Sequence, residues 1–210
     1  MRADDFLHPT PAGLYCPQGD FFIDPVRPVP RALITHGHGD HARSGHGAVL
    51  ATAQTLDIMA IRYGEDFTAQ RQVADGPLRL GGVEVSFHPA GHILGSAQIR
   101  LACADGPVIV VSGDYCRTPN PVCAPWEPVP CDIFVTEATF GLPVFRHPPD
   151  REEIARLLRS VAKGDVVVTT HGQLVLVATA IAVIIGVPLG ILCARSARHA
   201  GHSRWVPHTR

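Results

Sequence analysis

Ala32-Leu33-Ile34-Thr35-His36-Gly37-His38-Gly39-Asp40-His41 is the most informative stretch of this chain. A short apolar run suited to a buried strand is followed at once by an HxHxDH pattern. Three imidazoles and a carboxylate packed this closely are costly to bury unless they bind something. At a strand-to-helix turn, His36 and His38 can point to one side and grip one ion, while Asp40 and His41 turn toward a neighbouring position. Gly37 and Gly39 remove side chains that would crowd the ion and permit unusual backbone angles. A His-rich polar loop is the bland alternative; the apolar strand, the spacing and the glycines together argue against it.

Two single residues extend the same logic. His92 follows Pro89-Ala90-Gly91, just past the alternating run Val83-Glu84-Val85-Ser86-Phe87. Asp114 lies in Ser112-Gly113-Asp114-Tyr115, just past the β-rich run 108–111. Both stand at expected strand ends, where ligands converge on the rim of a sheet.

This set of motifs resembles the metallo-β-lactamase superfamily, over roughly residues 14–160. Asp24, after Phe21-Phe22-Ile23, matches that family's first motif, and the resemblance implies that it orients the histidine loop by hydrogen bonds. The resemblance further implies that His36, His38 and His92 ligate one zinc, that Asp40 and His41 ligate a second, and that Asp114 bridges the two. Zinc supplies hydroxide at neutral pH, and a pair of zinc ions can clamp both oxygens of an in-line phosphoryl displacement. Asp40 can also accept a proton from the attacking water.

Thr136-Glu137-Ala138-Thr139-Phe140-Gly141 places an acidic residue at a strand end before an xTxG phrase. That is similar to the first motif of the β-CASP nucleic-acid-processing branch, with Glu137 as its catalytic acid. Tyr15-Cys16-Pro17, Gly91-His92-Ile93-Leu94-Gly95-Ser96-Ala97 and Ser112-Gly113-Asp114-Tyr115 resemble the same branch. Within it, the ligase-associated DNA exonucleases and messenger-RNA 3′-end processing factors are the nearest families. The resemblance implies phosphodiester hydrolysis on DNA or RNA in the cytoplasm, a repair role, and a DNA ligase or repair protein as partner. Arg43, Arg62, Arg71 and Arg117 are candidate phosphate contacts. A thioester or lactone hydrolase of the same superfamily would share every ligand but leaves the Glu137 phrase without a purpose.

Composition neither supports nor excludes this. The 210 residues carry 18 basic and 19 acidic side chains, a formal charge of −1, so no global basic field advertises nucleic acid. Of the 12 histidines, His36, His38, His41, His46, His88 and His92 crowd into one short span, which points to metal chemistry. The six cysteines form no CxxC pair, and no apolar leader opens the chain; reduced thiols in a cytoplasm are expected. The expected fold class is α/β (α+β): the N-terminal half of a metallo-β-lactamase αββα sandwich over residues 1–165, rather than a doubly wound sheet. Strands are expected at 21–23, 32–34, 83–87, 108–111 and 133–135. Helices are expected at 53–63 and 152–161, the latter capped by Asp150. A long proline-rich loop covers 118–130.

Residues 174–194 contain no charge. As a helix they would be about 31 Å long, enough for one transmembrane span. Leu174-Val175-Leu176-Val177 and Ile185-Gly186-Val187-Pro188-Leu189-Gly190 resemble a membrane helix of osmoprotectant-type transporter permeases. Residues 166–173 would be the junction and 195–210 a basic tail. Arg195, Arg198, Arg204 and Arg210 would then lie in the cytoplasm and the hydrolase domain outside, which conflicts with an intracellular nuclease. A transport component with one span needs partner chains. The reading that reconciles these facts is a hydrolase domain cut short and joined to an unrelated frame, with an incomplete second metal site and little activity.

Overall fold

The computed structural model describes residues 2–119, 121–139, 141–142, 144 and 149–164. The expected membrane span at 174–194, the junction and the basic tail lie outside the described residues. Among the described residues no helix is long and apolar enough to cross a membrane. The chain divides into two compact units, Met1–Phe145 and Arg146–Arg210.

In the first unit the elements run α1 (Ala3–Phe6), β1 (His8–Thr10), β2 (Gly13–Cys16), β3 (Phe21–Ile23), β4 (Arg31–Leu33) and β5 (His46–Ala51). They continue with α2 (Ala53–Tyr63), β6 (Thr68–Val73), β7 (Leu78–Leu80), β8 (Val83–Pro89), β9 (Ala97–Ala102), β10 (Ile109–Val111) and β11 (Ile133–Val135). Strands β1 to β6 form one sheet in chain order, and a second sheet has the order β11-β10-β9-β8-β7. The first sheet is mixed: β1, β2 and β3 pair antiparallel, while β3, β4, β5 and β6 pair parallel. The second is antiparallel except for the parallel pair β10·β11.

Period-2 alternation sends neighbouring residues of β4 and β5 into different layers. Leu33 and Leu50 face the second sheet, joining Phe21, Ile23, Val83, Val85, Ile99, Leu101, Ile109 and Val111 in the core between the sheets. Ala32, Ile34, Val49 and Ala51 face the opposite way and pack with Leu56, Met59 and Ala60 of α2. This explains why the central strands read as continuous apolar runs: both of their faces are covered. Each fully buried Leu or Ile contributes about 1.5–3 kcal/mol. Of the four layers expected, the first unit supplies three: helix, sheet and sheet.

Helix α2 starts at Thr52, whose Oγ1 accepts the N–H of Thr55 at 3.3 Å and donates to the carbonyl of Gly95 at 2.7 Å. The cap thereby ties the helix to the loop that carries His92. In the second unit, α3 runs Asp150–Lys163, longer at both ends than expected. Its N-cap is Pro149 rather than Asp150, because Pro149 is the last residue with extended backbone (φ −55°, ψ 126°). The expected turn into a helix after His41 is also corrected. The segment closes a single turn through the N–H of Ala42 on the carbonyl of His38 (2.7 Å) and then runs through Gly45 (φ +89°) into β5. Gly45 sits in the left-handed region, where a helix cannot propagate.

Candidate metal centre

Four loops, following β3, β4, β8 and β10, meet at one end of the two sheets. The loop after β4 is anchored by Asp24, which holds a left-handed conformation (φ +44°) directly after β3. Its Oδ1 accepts the backbone N–H of Thr35 at 2.8 Å, and its Oδ2 accepts the Thr35 hydroxyl at 2.6 Å. The same Oδ2 lies 2.8 Å from Nδ1 of His41. The carbonyl of Thr35 in turn accepts the N–H of Ala97 at 2.8 Å, crossing from one sheet to the other. Gly113 (φ +54°) completes the seam, because a Cβ there would stand 2.6 Å from the Thr35 side chain.

The second loop is held by Ser96, whose Oγ accepts the N–H groups of His92 (3.0 Å) and Ile93 (3.1 Å). With these anchors set, His36, His38, His92 and Asp114 converge, one ligand atom of each lying within 4.8 Å of the others. Nδ1 of His38 is 3.0 Å from Nε2 of His36 and 3.2 Å from Nε2 of His92. Oδ2 of Asp114 is 3.7 Å from His36 Nε2 and 3.6 Å from His92 Nε2. A neutral imidazole carries one ring proton, so three such nitrogens cannot all satisfy one another. A cation at their centre would accept every lone pair at once, so the donor set fits a metal. Three His and one carboxylate are ligands of the type zinc takes.

Asp40 and His41 take a different place. His41 Nε2 is 3.4 Å from Asp114 Oδ1 and 3.7 Å from Asp40 Oδ2. Asp114 thus faces the three-histidine cluster with one oxygen and His41 with the other. Asp40 is the most exposed of the group, with 76% of its side chain accessible. Glu137, Asp24, Asp40, His41 and Asp114 line a common cavity of about 360 Å3.

The electrostatics follow from burial and neighbours. Burial, with the charge of His41 beside it, pushes the His36 imidazole down to about 3. Burial and His38 also lower His92, although Asp114 and Glu137 pull it the other way. Burial works downward on His41 too, but its bond to Asp24 and the charges of Asp24, Asp114 and Asp40 raise it overall. For Asp40, desolvation works upward, yet its own backbone N–H and the charges of His41, His36 and His38 hold it below the usual carboxylate range.

All seven site residues expected from sequence, Asp24, His36, His38, Asp40, His41, His92 and Asp114, come together, and Glu137 joins them on the cavity wall. The candidate phosphate contacts scatter. Arg71 pairs with Glu65 and lies over the Phe67 ring, 4.7 Å from its centroid. Arg62 lies 5.6 Å from the Tyr63 ring centroid, and Arg43 is exposed. Arg117 alone of the four lines a cavity together with Glu137. Sequence reasoning passes over Thr35, Ser96, Gly91 and Gly113, which hold the ligands. A hydroxyl four residues after His92 is the signal for a side chain that bonds backbone N–H groups, and it was available.

Comparison with known proteins gives no matching family model. The chain is 31% identical, over 157 residues and 71% of its length, to a protein of Opitutus terrae named as a probable DNA ligase, 14% of which is covered. It is 30% identical, over 170 residues and 68% of its length, to a ribonuclease of Thermus thermophilus, 38% of which is covered. Among solved structures it is similar to a metallo-β-lactamase protein of Cronobacter sakazakii with a HARLDQ motif. There the identity is 20%, the TM-score 0.33, and the coverage 53% of this chain and 60% of that one. The chain therefore spans well under half the length of either curated relative, and it is similar to part of a ligase-named protein and part of a ribonuclease.

Proposed function

We propose that this chain is the metal-binding portion of a zinc-dependent phosphodiester hydrolase of the metallo-β-lactamase superfamily, β-CASP branch, acting on DNA as an exonuclease. The observation that carries the reading is the convergence of His36, His38, His92 and Asp114 on one point, with His41 on the far oxygen of Asp114 and Asp40 beside His41. The relatives' names, a DNA ligase and a ribonuclease, favour a nucleic acid over a thioester or lactone as substrate. A repair role and a ligase partner belong to the same proposal.

His36, His38, His92 and Asp114 would hold one zinc ion, and His41, Asp40 and Asp114 a second. When bound, such ions supply hydroxide at neutral pH and polarise a phosphoryl oxygen. The chain's own residues do the rest. Asp24 fixes which nitrogen of His41 faces the cavity, by engaging Nδ1. Burial lowers His36 to about 3, which favours the neutral imidazole that a metal needs. Asp40, exposed and ionised, is placed to take a proton from water at the cavity mouth. Glu137, held by the N–H of Thr139 on Oε2 at 2.7 Å, lines the same cavity.

The test is hydrolysis of single-stranded DNA, single-stranded RNA and a thioester by the full chain, with zinc and with chelator. Chelator-sensitive release of nucleotides from DNA supports the reading. Thioester turnover with nucleic acid untouched replaces it with the other hydrolase class.

A further inference from the structure

A second cavity, of about 700 Å3, lies on the other side of Glu137 and is lined by Tyr115, Cys116, Arg117, Trp126, Thr136 and Glu137 among others. Its volume is in the range of small-ligand sites. Tyr115 follows Asp114 directly in the chain. Its ring lies 6.2 Å from that of Trp126 at 36°, and 5.9 Å from Phe134, edge-on at 83°. At that spacing Tyr115 and Trp126 are already in contact range of each other, so a planar ligand would lie against the pair rather than between its rings.

The platform is fastened to the metal centre through Gly91. A Cβ at Gly91 (φ +71°) would stand 2.3 Å from the carbonyl oxygen of Cys116, 2.7 Å from the nitrogen of Trp126 and 3.0 Å from its Cβ. Both walls of the cavity thus press on the residue before His92. Trp126 is held from its other side by Glu127. The Glu127 carbonyl accepts from Gln98 Nε2 at 2.8 Å, and its carboxylate is 2.8 Å from His88 Nδ1. A rigid aromatic pair, an exposed guanidinium at Arg117, and a wall shared with the metal cavity are the parts of a stacking site for a charged chain of planar groups.

We propose that the Tyr115–Trp126 pair is a base-stacking subsite, which seats an unpaired nucleobase next to the phosphodiester presented at the metal centre, with Arg117 on the adjoining phosphate. This rests on the phosphodiesterase reading and assigns residues to its substrate. A paired base has its faces occupied by its neighbours in the stack, so the subsite selects single strands.

The experiment is fluorescence anisotropy of a labelled short oligothymidylate, alone and as a duplex, with the full chain in chelator so that no hydrolysis intervenes. The expected result is preferential binding of the single strand, weakened about tenfold or more by Tyr115→Ala and by Trp126→Ala. Tyr115→Phe, which keeps the ring, should bind as the wild type does. Unchanged binding by Tyr115→Ala, equal binding of duplex, or no binding by the wild type overturns the subsite. Turnover of bis(p-nitrophenyl) phosphate with zinc, a substrate too small to need the platform, is read in parallel on the wild type. If the wild type binds the oligonucleotide but shows no zinc-dependent turnover of this ester, the phosphodiesterase reading fails while the aromatic subsite stands.

Discussion

Oδ2 of Asp24 lies 2.8 Å from Nδ1 of His41, so the nitrogen that His41 turns toward Asp114 is Nε2. The same oxygen also accepts the hydroxyl of Thr35. One carboxylate therefore fixes both the start of the histidine loop and the orientation of its last imidazole. Asp24→Asn keeps the shape but removes the charge and one acceptor. We expect metal affinity at the His41 position to fall about 10- to 100-fold, with the three-histidine position less affected. Zinc titration of the purified variant by calorimetry checks this, and two unchanged affinities would sink the role given to Asp24.

His38 offers the nitrogen nearest to both His36 and His92. His38→Ala should leave the fold intact, because His38 is partly exposed and belongs to neither core. Metal content measured by mass spectrometry should fall, and chelator-sensitive hydrolysis should drop to the metal-free background. Retained turnover would overturn the ligand assignment.

Gly91 has no room for a side chain and holds a backbone conformation that L residues rarely adopt. Gly91→Ala should destabilise the first unit by about 1–3 kcal/mol. The urea midpoint, with unchanged slope, is the measurement. A wild-type midpoint would mean that the Cys116 and Trp126 segments yield easily.

His46 is buried, and its Nδ1 accepts the N–H of Val29 at 3.3 Å. Burial lowers its pKa below the ordinary histidine value. The unfolded chain therefore binds a proton that the folded chain refuses, and stability falls as pH drops below about 6.5 toward the folded value. His36 adds to the loss in the same direction, down to about 3. Melting temperatures of the metal-free chain should decline from about pH 7 to pH 5, less steeply in His46→Gln. Parallel profiles for the two proteins would remove His46 from the account.

The metal site was more legible in the sequence than the sheet that carries it. HxHxDH marks its histidines and carboxylate by spacing, their ligand roles are what the family resemblance implies, and His92, Asp114 and Glu137 each follow an apolar strand. Strands at 21–23 and 133–135 and helix Ala53–Tyr63 stand where they were expected, and the strand expected at 32–34 lies one residue earlier, at Arg31–Leu33. The strands left unread have physical reasons. Thr68–Val73 is an edge strand, polar along most of its length and exposed after its first residue, so alternation has nothing to report. His8–Thr10 contains a proline, which edge strands tolerate. Ala97–Ala102 does alternate, Gln98 and Arg100 against Ile99 and Leu101, and was readable. The anchoring by Thr35 depends on contacts between distant loops, which no local pattern announces, whereas that by Ser96 is local.

The ligand loops belong to different sheets: His36 and His38 leave the first, His92 and Asp114 the second. An ion bound to all four would act as a cross-link between two layers that otherwise adhere through greasy contact and hydrogen bonds such as Thr35–Ala97 and Thr52–Gly95 at this end. Closing a ring through residues this far apart in the chain removes disorder chiefly from the unfolded state. The temperature at which this domain melts should therefore serve as a gauge of its own metal supply, rising with each increment of free zinc even where no substrate is turned over.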